Sequence, residues 1–337
     1  MDIQFVLVTG ATGFIGAHIV DALLARGLQV RGATRSLAKG EAMMKARPQY
    51  KDQLEFIQID DFEKPGGLAE AVKGVDGIIH TASPFTYNTN NNEKELLLPA
   101  INGVKAVFSA AHAQSTPSIS RIVLTSSFAS VIDINRTAPP YFTYTSADWN
   151  PLTYSQSIAP TTSAVVAYRG SKKFAELTAW DFISKEQPAF DLVVLCPPMT
   201  FGPIVHPLSG LEALNESNAM LWKVASGEEL PVARVPFWVD VRDLAEAHVN
   251  ALLRKGAGGK RYTVTTPERF SYAVVAGIIR GEFEGLKDTV SREEQSVDES
   301  YGLDGEVAGR ELVVNYRGLN ETVVDFVRQA LEMKEKQ

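Results

Sequence analysis

One feature near the start restricts this chain more than any other: an apolar strand pattern that runs straight into spaced glycines. Ile3–Thr9 (IQFVLVT) leads into Thr9-Gly10-Ala11-Thr12-Gly13-Phe14-Ile15-Gly16. Phe14–Arg26 then places Ile15, Ile19 and Leu23 at the four-residue spacing of one helix face, and Gly27 follows as a C-cap. In such a strand–turn–helix unit the first glycine allows the tight turn. The second lets backbone approach a pyrophosphate, and the third lets helix and strand pack closely. The helix N-terminus offers free N–H groups and positive potential to a phosphate. The pattern GxxGxxG in this setting points to a bound dinucleotide.

The rest of the first half repeats the alternation. Leu28–Ala33, Leu54–Ile59, Gly77–Thr81, Arg121–Thr125 and Asp191–Leu195 read as strands. Pro99–Gln114 and Ser163–Glu186 read as helices between them. Near-continuous apolar strands separated by helices specify a parallel sheet covered on both faces, which binds ligands beyond its carboxyl strand ends. The expected class is α/β, a Rossmann-type doubly wound parallel sheet with a smaller, mixed C-terminal lobe. Residues 1–200 are expected to form the nucleotide-binding domain. Residues 201–337, richer at first in Gly, Pro, Asn and Ser, are expected to form mainly a substrate lobe, with some chain returning to the first domain. There Asp240–Lys255, Tyr272–Glu282 and Asn320–Lys334 read as helices and Arg261–Thr265 as a short strand.

Composition narrows the function class. A hydrophobic share of 45% over 337 residues is enough for a core and excludes a mostly disordered chain. The net charge of −7, with no dense Lys/Arg tract, argues against a nucleic-acid or acidic-membrane partner. A single cysteine, Cys196, excludes an internal disulfide and a multi-thiolate metal site, and its apolar run DLVVLCPP suits a buried small hydrophobe. The scattered histidines His18, His80, His112, His206 and His248 form no HExxH pair, so no metal is expected, and His80 reads as a core histidine. No signal-peptide pattern and no apolar run of about 18 residues is present, so a cytoplasmic location is expected.

The end of the second strand discriminates between cofactors. An acid there would hold the ribose 2′-hydroxyl of NAD. The segment reads Arg31-Gly32-Ala33-Thr34-Arg35-Ser36, with Lys39 beyond. Cations without an acid suit the 2′-phosphate of NADP, which arginine matches with paired donors. Arg35 is the first candidate and Lys39 the second. Asp60 and Asp61, after the third strand, are placed to face the adenine or to cap a helix.

Tyr168-Arg169-Gly170-Ser171-Lys172 is YxxxK within a helix pattern, an i, i+4 pair on one face. A carbonyl that accepts hydride needs a proton, and free tyrosine holds its own with a pKa of about 10. An ammonium about 4 Å away contributes roughly 4 kcal/mol at an effective dielectric of about 20, an upper bound of about three pKa units. Tyr168 thereby becomes a workable general acid. The fifth strand ends Leu124-Thr125-Ser126-Ser127, and a serine hydroxyl there can hold a substrate carbonyl oxygen. Adjacent strand residues point to opposite faces, so only one of the two serines faces the substrate.

Together these residues resemble the extended short-chain dehydrogenase/reductases. The resemblance is carried by TGATGFIG at Thr9–Gly16, LTSS at Leu124–Ser127, YxxxK at Tyr168–Lys172 and PPMTFGP at Pro197–Pro203. HTASPF at His80–Phe85, LLLPAINGVKAV at Leu96–Val107, AYRGSKKFAELTAW at Ala167–Trp180 and VDVRDLAEAH at Val239–His248 are similar to one branch. It holds dihydroflavonol-4-reductase, cinnamoyl-CoA reductase and the yeast and fungal NADPH-dependent methylglyoxal and aldehyde/ketone reductases, the last being nearest. The resemblance implies that Gly10, Ala11, Thr12, Gly13, Phe14 and Ile15 embrace the pyrophosphate of NADPH/NADP+. Arg35 and Lys39 take the 2′-phosphate, with Asp60 near the adenine. Thr81, Ala82 and Ser83 line the path to the nicotinamide ribose, Pro197 to Thr200 flank the nicotinamide, and Ser217 approaches the cofactor from the second lobe. Ser127 orients the carbonyl, Tyr168 donates the proton and Lys172 supports it. Many members carry a helix asparagine three residues before a glycine like Gly103; here that position is Ala100, with Asn102 out of register.

Candidate residues lining a substrate site are Phe85, Tyr141, Phe142, Trp149, Met199, Trp222, Pro231 and Phe237, each of which also suits core packing. The expected activity is NADPH-dependent reduction of an aldehyde, ketone or 2-oxoaldehyde, with a small carbonyl compound as partner and a monomer or homodimer as the assembly. Two alternatives share the fold. A nucleotide-sugar epimerase or dehydratase would need acids after the strand-five serine, where Phe128-Ala129 stand. A non-catalytic NADP sensor would not need the YxxxK pair.

Overall fold

The computed structural model describes residues 2–61, 66–83, 89–114 and 119–336. The first half alternates as expected: β1 (Phe5–Thr9), α1 (Phe14–Leu24), β2 (Gln29–Thr34), α2 (Leu37–Lys45), β3 (Leu54–Gln58), β4 (Gly77–His80), α3 (Leu98–His112) and β5 (Arg121–Thr125). After the short β6 (Thr143–Tyr144) and α4 (Tyr154–Ile158) come the long α5 (Ala164–Glu186) and β7 (Asp191–Cys196). The remainder holds β8 (Met199–Phe201), α6 (Glu216–Ala225), β9 (Trp238–Asp240), α7 (Val241–Leu253) and β10 (Lys260–Thr263). It ends with α8 (Tyr272–Glu282), β11 (Gly302–Leu303), α9 (Glu306–Glu311) and α10 (Leu319–Glu335).

The main sheet has seven strands in the order β10-β7-β5-β4-β1-β2-β3, and every pairing in it is parallel. The strand Arg261–Thr265 read from the sequence thus becomes an edge of the main sheet, as β10 (Lys260–Thr263) paired with β7. The chain runs outward from β1 through β2 to β3, then restarts on the other side of β1 with β4. Connections therefore diverge between β1 and β4, and the crevice beyond their carboxyl ends is the switch point where such sheets bind ligands.

Strand side chains alternate between two buried layers. Val6, Val8, Val123, Val193 and Leu195 pack with α1 and α7, while Leu7, Ile78, Ile122, Leu124, Leu192 and Val194 pack with α3 and α5. A third cluster joins Phe201 and Trp238 to α6, α8 and α10. The backbone N–H groups of Gly27 and Leu28 close α1 by donating to Leu24 and Leu23 carbonyls, with Gly27 at φ +78°, a left-handed position that glycine reaches without strain.

Candidate functional site

The glycine turn is a cradle in which added atoms have no room. Gly10 has φ +69°, and a Cβ there would lie 2.7 Å from Thr81 Oγ1 and 3.0 Å from the Ala82 nitrogen. A Cβ at Gly16 would meet the Gly10 carbonyl oxygen at 2.1 Å, so α1 rests directly on the turn. Gly13 occupies the N-cap of α1 with no capping side chain, and the first turn holds no acid. The N–H groups of Phe14 and Ile15 therefore open α1 with no acid of that turn to oppose an anion. The loop after β4 is tied to this turn: Thr81 Oγ1 donates to the Thr9 carbonyl at 2.7 Å, and the Ala82 N–H donates to Thr9 Oγ1 at 3.3 Å. Ser83 follows, exposed, and Ala11 is buried.

At the end of β2, Thr34 Oγ1 lies 3.3 Å from Thr12 Oγ1 and so bridges the two turns. Arg35 is exposed and has no ion-pair partner among the described residues. Ser36 then caps α2 by accepting the Lys39 N–H, and the Lys39 side chain stands exposed on the first turn. Two cations at a helix N-terminus fit a phosphate. Asp60 is exposed at the end of β3 and accepts a bond from Gln58 at 2.5 Å, and Asp61 follows it, also exposed.

The two serines closing β5 differ as alternation requires. Ser126 Oγ donates to Glu176 Oε2 at 2.6 Å in the core. Ser127 Oγ accepts the Ala129 N–H at 3.1 Å, which leaves its own O–H for another acceptor. On α5, the Lys172 Nζ sits 5.7 Å from the Tyr168 ring centroid. Burial lowers the Lys172 pKa to about 8. Asn150 joins α5 to the serine turn through its amide, which donates to the Ala129 and Arg169 carbonyls at 2.6 and 3.2 Å. Lys172, Ser83, Ser126, Glu176, Ala100 and His80 share the wall of one small cavity. His80 bonds Thr9 Oγ1 through Nδ1 at 2.7 Å, and burial, with the Lys172 ammonium secondary, lowers its pKa to about 4, so it is neutral at ordinary pH.

Beyond β7, the Pro197 carbonyl accepts the Phe128 N–H at 3.0 Å and so fixes the serine turn against the segment leading to β8. Thr200 is buried, and its carbonyl accepts the Ser217 hydroxyl. Asn215 Nδ2 donates to Ser217 Oγ at 2.7 Å, so the hydroxyl of Ser217 already has two protein partners. Cys196 is buried, and desolvation, reinforced by Glu176, raises its thiol to about 12, far from a reactive thiolate.

The aromatic candidates are scattered. Phe237 is buried edge-on to Tyr301, with ring centroids 5.1 Å apart, and Phe142 is edge-on to Tyr144 at 5.0 Å. Trp149 lies under the Arg261 guanidinium at 3.9 Å. Trp222 packs in the third cluster, 5.8 Å from the Lys334 ammonium. Tyr141 is 79% exposed at φ +64°, and Pro231 uses its carbonyl to accept from Gln295. Met199 is half-buried where the second and third clusters meet. Phe85 lies outside the described residues. Two residues that the sequence did not single out, Glu176 and Arg261, form an ion pair at 2.6 Å beneath the serine turn. Glu176 had one signal: it follows Tyr168 and Lys172 at i+8 and i+4 on the same helix face.

Comparison with known proteins shows the family and the fold. Residues 6–265 match the NAD dependent epimerase/dehydratase family. A ketoreductase of Aspergillus niger is 35% identical over 97% of this chain and 97% of its own length. The NADPH-dependent methylglyoxal reductase of Saccharomyces cerevisiae is 31% identical over 98% of each chain. The crystal structure of yeast methylglyoxal/isovaleraldehyde reductase complexed with NADPH matches with a TM-score of 0.88 and 30% identity, covering 99% of this chain and 100% of that one. By sequence and by fold, the chain belongs to the NAD dependent epimerase/dehydratase family, within its extended short-chain dehydrogenase/reductase members.

Proposed function

We propose that this protein is an NADPH-dependent carbonyl reductase that converts a small aldehyde, ketone or 2-oxoaldehyde to an alcohol. The observation that carries the reading is that Lys172, one turn after Tyr168, lines a cavity with Ala82 and Ser83 of the loop tied to the glycine turn, while β2 beside that turn is followed by Arg35 rather than an acid. Relatives named as a ketoreductase and as an NADPH-dependent methylglyoxal reductase support it.

The residues fit the cofactor. Gly10 to Ile15 and the uncapped start of α1 would hold the pyrophosphate, Arg35 and Lys39 the 2′-phosphate, and Lys172 the nicotinamide ribose. When bound, NADPH supplies the hydride that reduces the carbonyl carbon. Ser127 donates its O–H to the substrate oxygen and fixes the carbonyl. Tyr168 gives that oxygen a proton as negative charge develops on it. The Lys172 ammonium lowers the cost of the resulting tyrosinate. Residues 201–337 contribute mainly the substrate side of the crevice, through the α6 segment, with Met199 just before them.

The test is absorbance loss of NADPH and of NADH with methylglyoxal, a simple aldehyde, a β-keto ester and a dihydroflavonol. NADPH-selective turnover of at least one carbonyl is expected. Preference for NADH, with turnover of a nucleotide sugar instead, would replace this reading by the epimerase alternative.

A further inference from the structure

Glu176 and Arg261 are sealed from solvent, with side-chain exposures of 0% and 7%. A buried ion pair gives little net stability over apolar residues of the same volume, because both charges lose their hydration. Its partners suggest another use. Arg261 Nε donates to Glu176 Oε1 at 2.6 Å, and Nη2 donates to Oε2 at 3.2 Å and to Ser130 Oγ at 2.9 Å. Nη1 donates to the Ser146 and Asp148 carbonyls at 3.0 and 2.5 Å. Glu176 Oε2 also accepts the hydroxyls of Ser126 at 2.6 Å and Ser130 at 2.8 Å, and Oε1 accepts the Trp180 indole N–H at 3.3 Å. One pair of charges thus joins β10, α5, the end of β5 and the loop around Trp149.

Two of those elements carry the proposed chemistry. Glu176 lies one turn beyond Lys172 and two beyond Tyr168 on α5, and Ser126 directly precedes Ser127. We propose that the Glu176–Arg261 pair is a positioning device that sets Ser127 in register with Tyr168 and Lys172. The inference rests on the reductase reading above. Holding the Ser126 hydroxyl down into the core directs the next side chain, Ser127, to the opposite face. The same carboxylate fixes the rotation of α5, and Arg261 braces it from the edge strand. Neutralising Glu176 leaves a buried guanidinium without its counter-charge, so the serine turn and α5 shift relative to each other. A displacement of about 1 Å at reacting groups can lower a rate by about 10²-fold.

The test compares the wild type with Glu176→Gln, Arg261→Lys and Ser126→Ala, with activity expressed per NADPH-binding site titrated by NADPH fluorescence. In Glu176→Gln we expect kcat per site to fall by about 10- to 100-fold, while the NADPH Kd and the carbonyl KM stay near the wild-type values. The isotope effect with NADPH deuterated at the transferred position should rise, because the chemical step becomes slower. Arg261→Lys, which keeps the charge, should lie between Glu176→Gln and the wild type. Ser126→Ala removes one hydroxyl and no charge, so it keeps the question open to test if Glu176→Gln fails to fold. Its kcat per site should fall by about 3- to 10-fold, the worth of one hydrogen bond. A lower melting temperature with unchanged kcat per site in Ser126→Ala and in every folded variant would show a purely structural pair and overturn the inference alone. A wild type inactive with NADPH toward every carbonyl would overturn the reductase reading, and this inference with it.

Discussion

Ser126 and Ser127 are neighbours with different partners: Glu176 takes the first hydroxyl into the core, and the second keeps its proton while accepting a backbone N–H. The alternation of strand side chains made that division legible in the sequence, and YxxxK on one helix face was equally legible. The Glu176–Arg261 pair was not, because its members are 85 residues apart and no local pattern links them. Nor could residue type separate aromatic packing from substrate contact: Phe237 and Trp149 turn out to be packed against Tyr301 and Arg261. Two predictions belong at this scale. Arg35→Ala should raise the NADPH Kd by about 10- to 100-fold, the loss of one charge-assisted contact, and leave the NADH Kd unchanged. Equal affinity of mutant and wild type for NADPH would place the 2′-phosphate site elsewhere. The second concerns pH. Burial lowers the Lys172 pKa to about 8, so its positive charge is present below that pH and lost above it. The kcat/KM for NADPH, which reports groups on the free enzyme, should fall as pH rises through about 8. His80, neutral above about 4, should add no inflection between pH 5 and 7. A profile flat to pH 10 would mean that the charge of Lys172 is not used.

Elements follow local pattern where the pattern is long. The strands of the main sheet were visible as apolar runs because both faces of a parallel sheet are buried. Helix α2 was not, since Leu37–Lys45 buries only Gly40 and Met43 and carries no apolar stripe. Strands β6, β8, β9 and β11 have two or three residues each, too short for a period of two to show. Strand β10 could be read as a strand, yet its place beside β7 is a tertiary fact that periodicity does not encode. The glycine turn is the element whose conformation is most constrained by residue type. Gly10→Ala forces a Cβ into a left-handed position 2.7 Å from Thr81 Oγ1. It should lower stability by about 1–3 kcal/mol and weaken NADPH binding at least tenfold, as read by thermal melting and fluorescence titration. Unchanged melting and binding would show that the turn relaxes freely.

At the scale of the whole molecule, the chain crosses between its buried layers several times. Asp240 caps α7, accepts Arg242 and receives the Thr322 hydroxyl of α10 at 2.7 Å, which ties the last helix to β9 and α7. Among the described residues no helix is long and apolar enough to cross a membrane. Binding only to the folded state should stabilise the protein by about 2.7 kcal/mol at a ligand concentration of 100 Kd. NADPH should therefore raise the melting temperature more than NADH at equal concentration, and equal shifts would contradict the cofactor assignment. In the proposed reaction Tyr168 protonates a carbonyl that the cofactor reduces. Single-turnover oxidation of NADPH bound to the wild type and to Tyr168→Phe, after mixing with excess carbonyl substrate, tests that role. About one equivalent should be oxidised rapidly by the wild type, and the rate should be lower by about 10²–10⁴ in the mutant at unchanged NADPH affinity. Equal rates in the two proteins would contradict it.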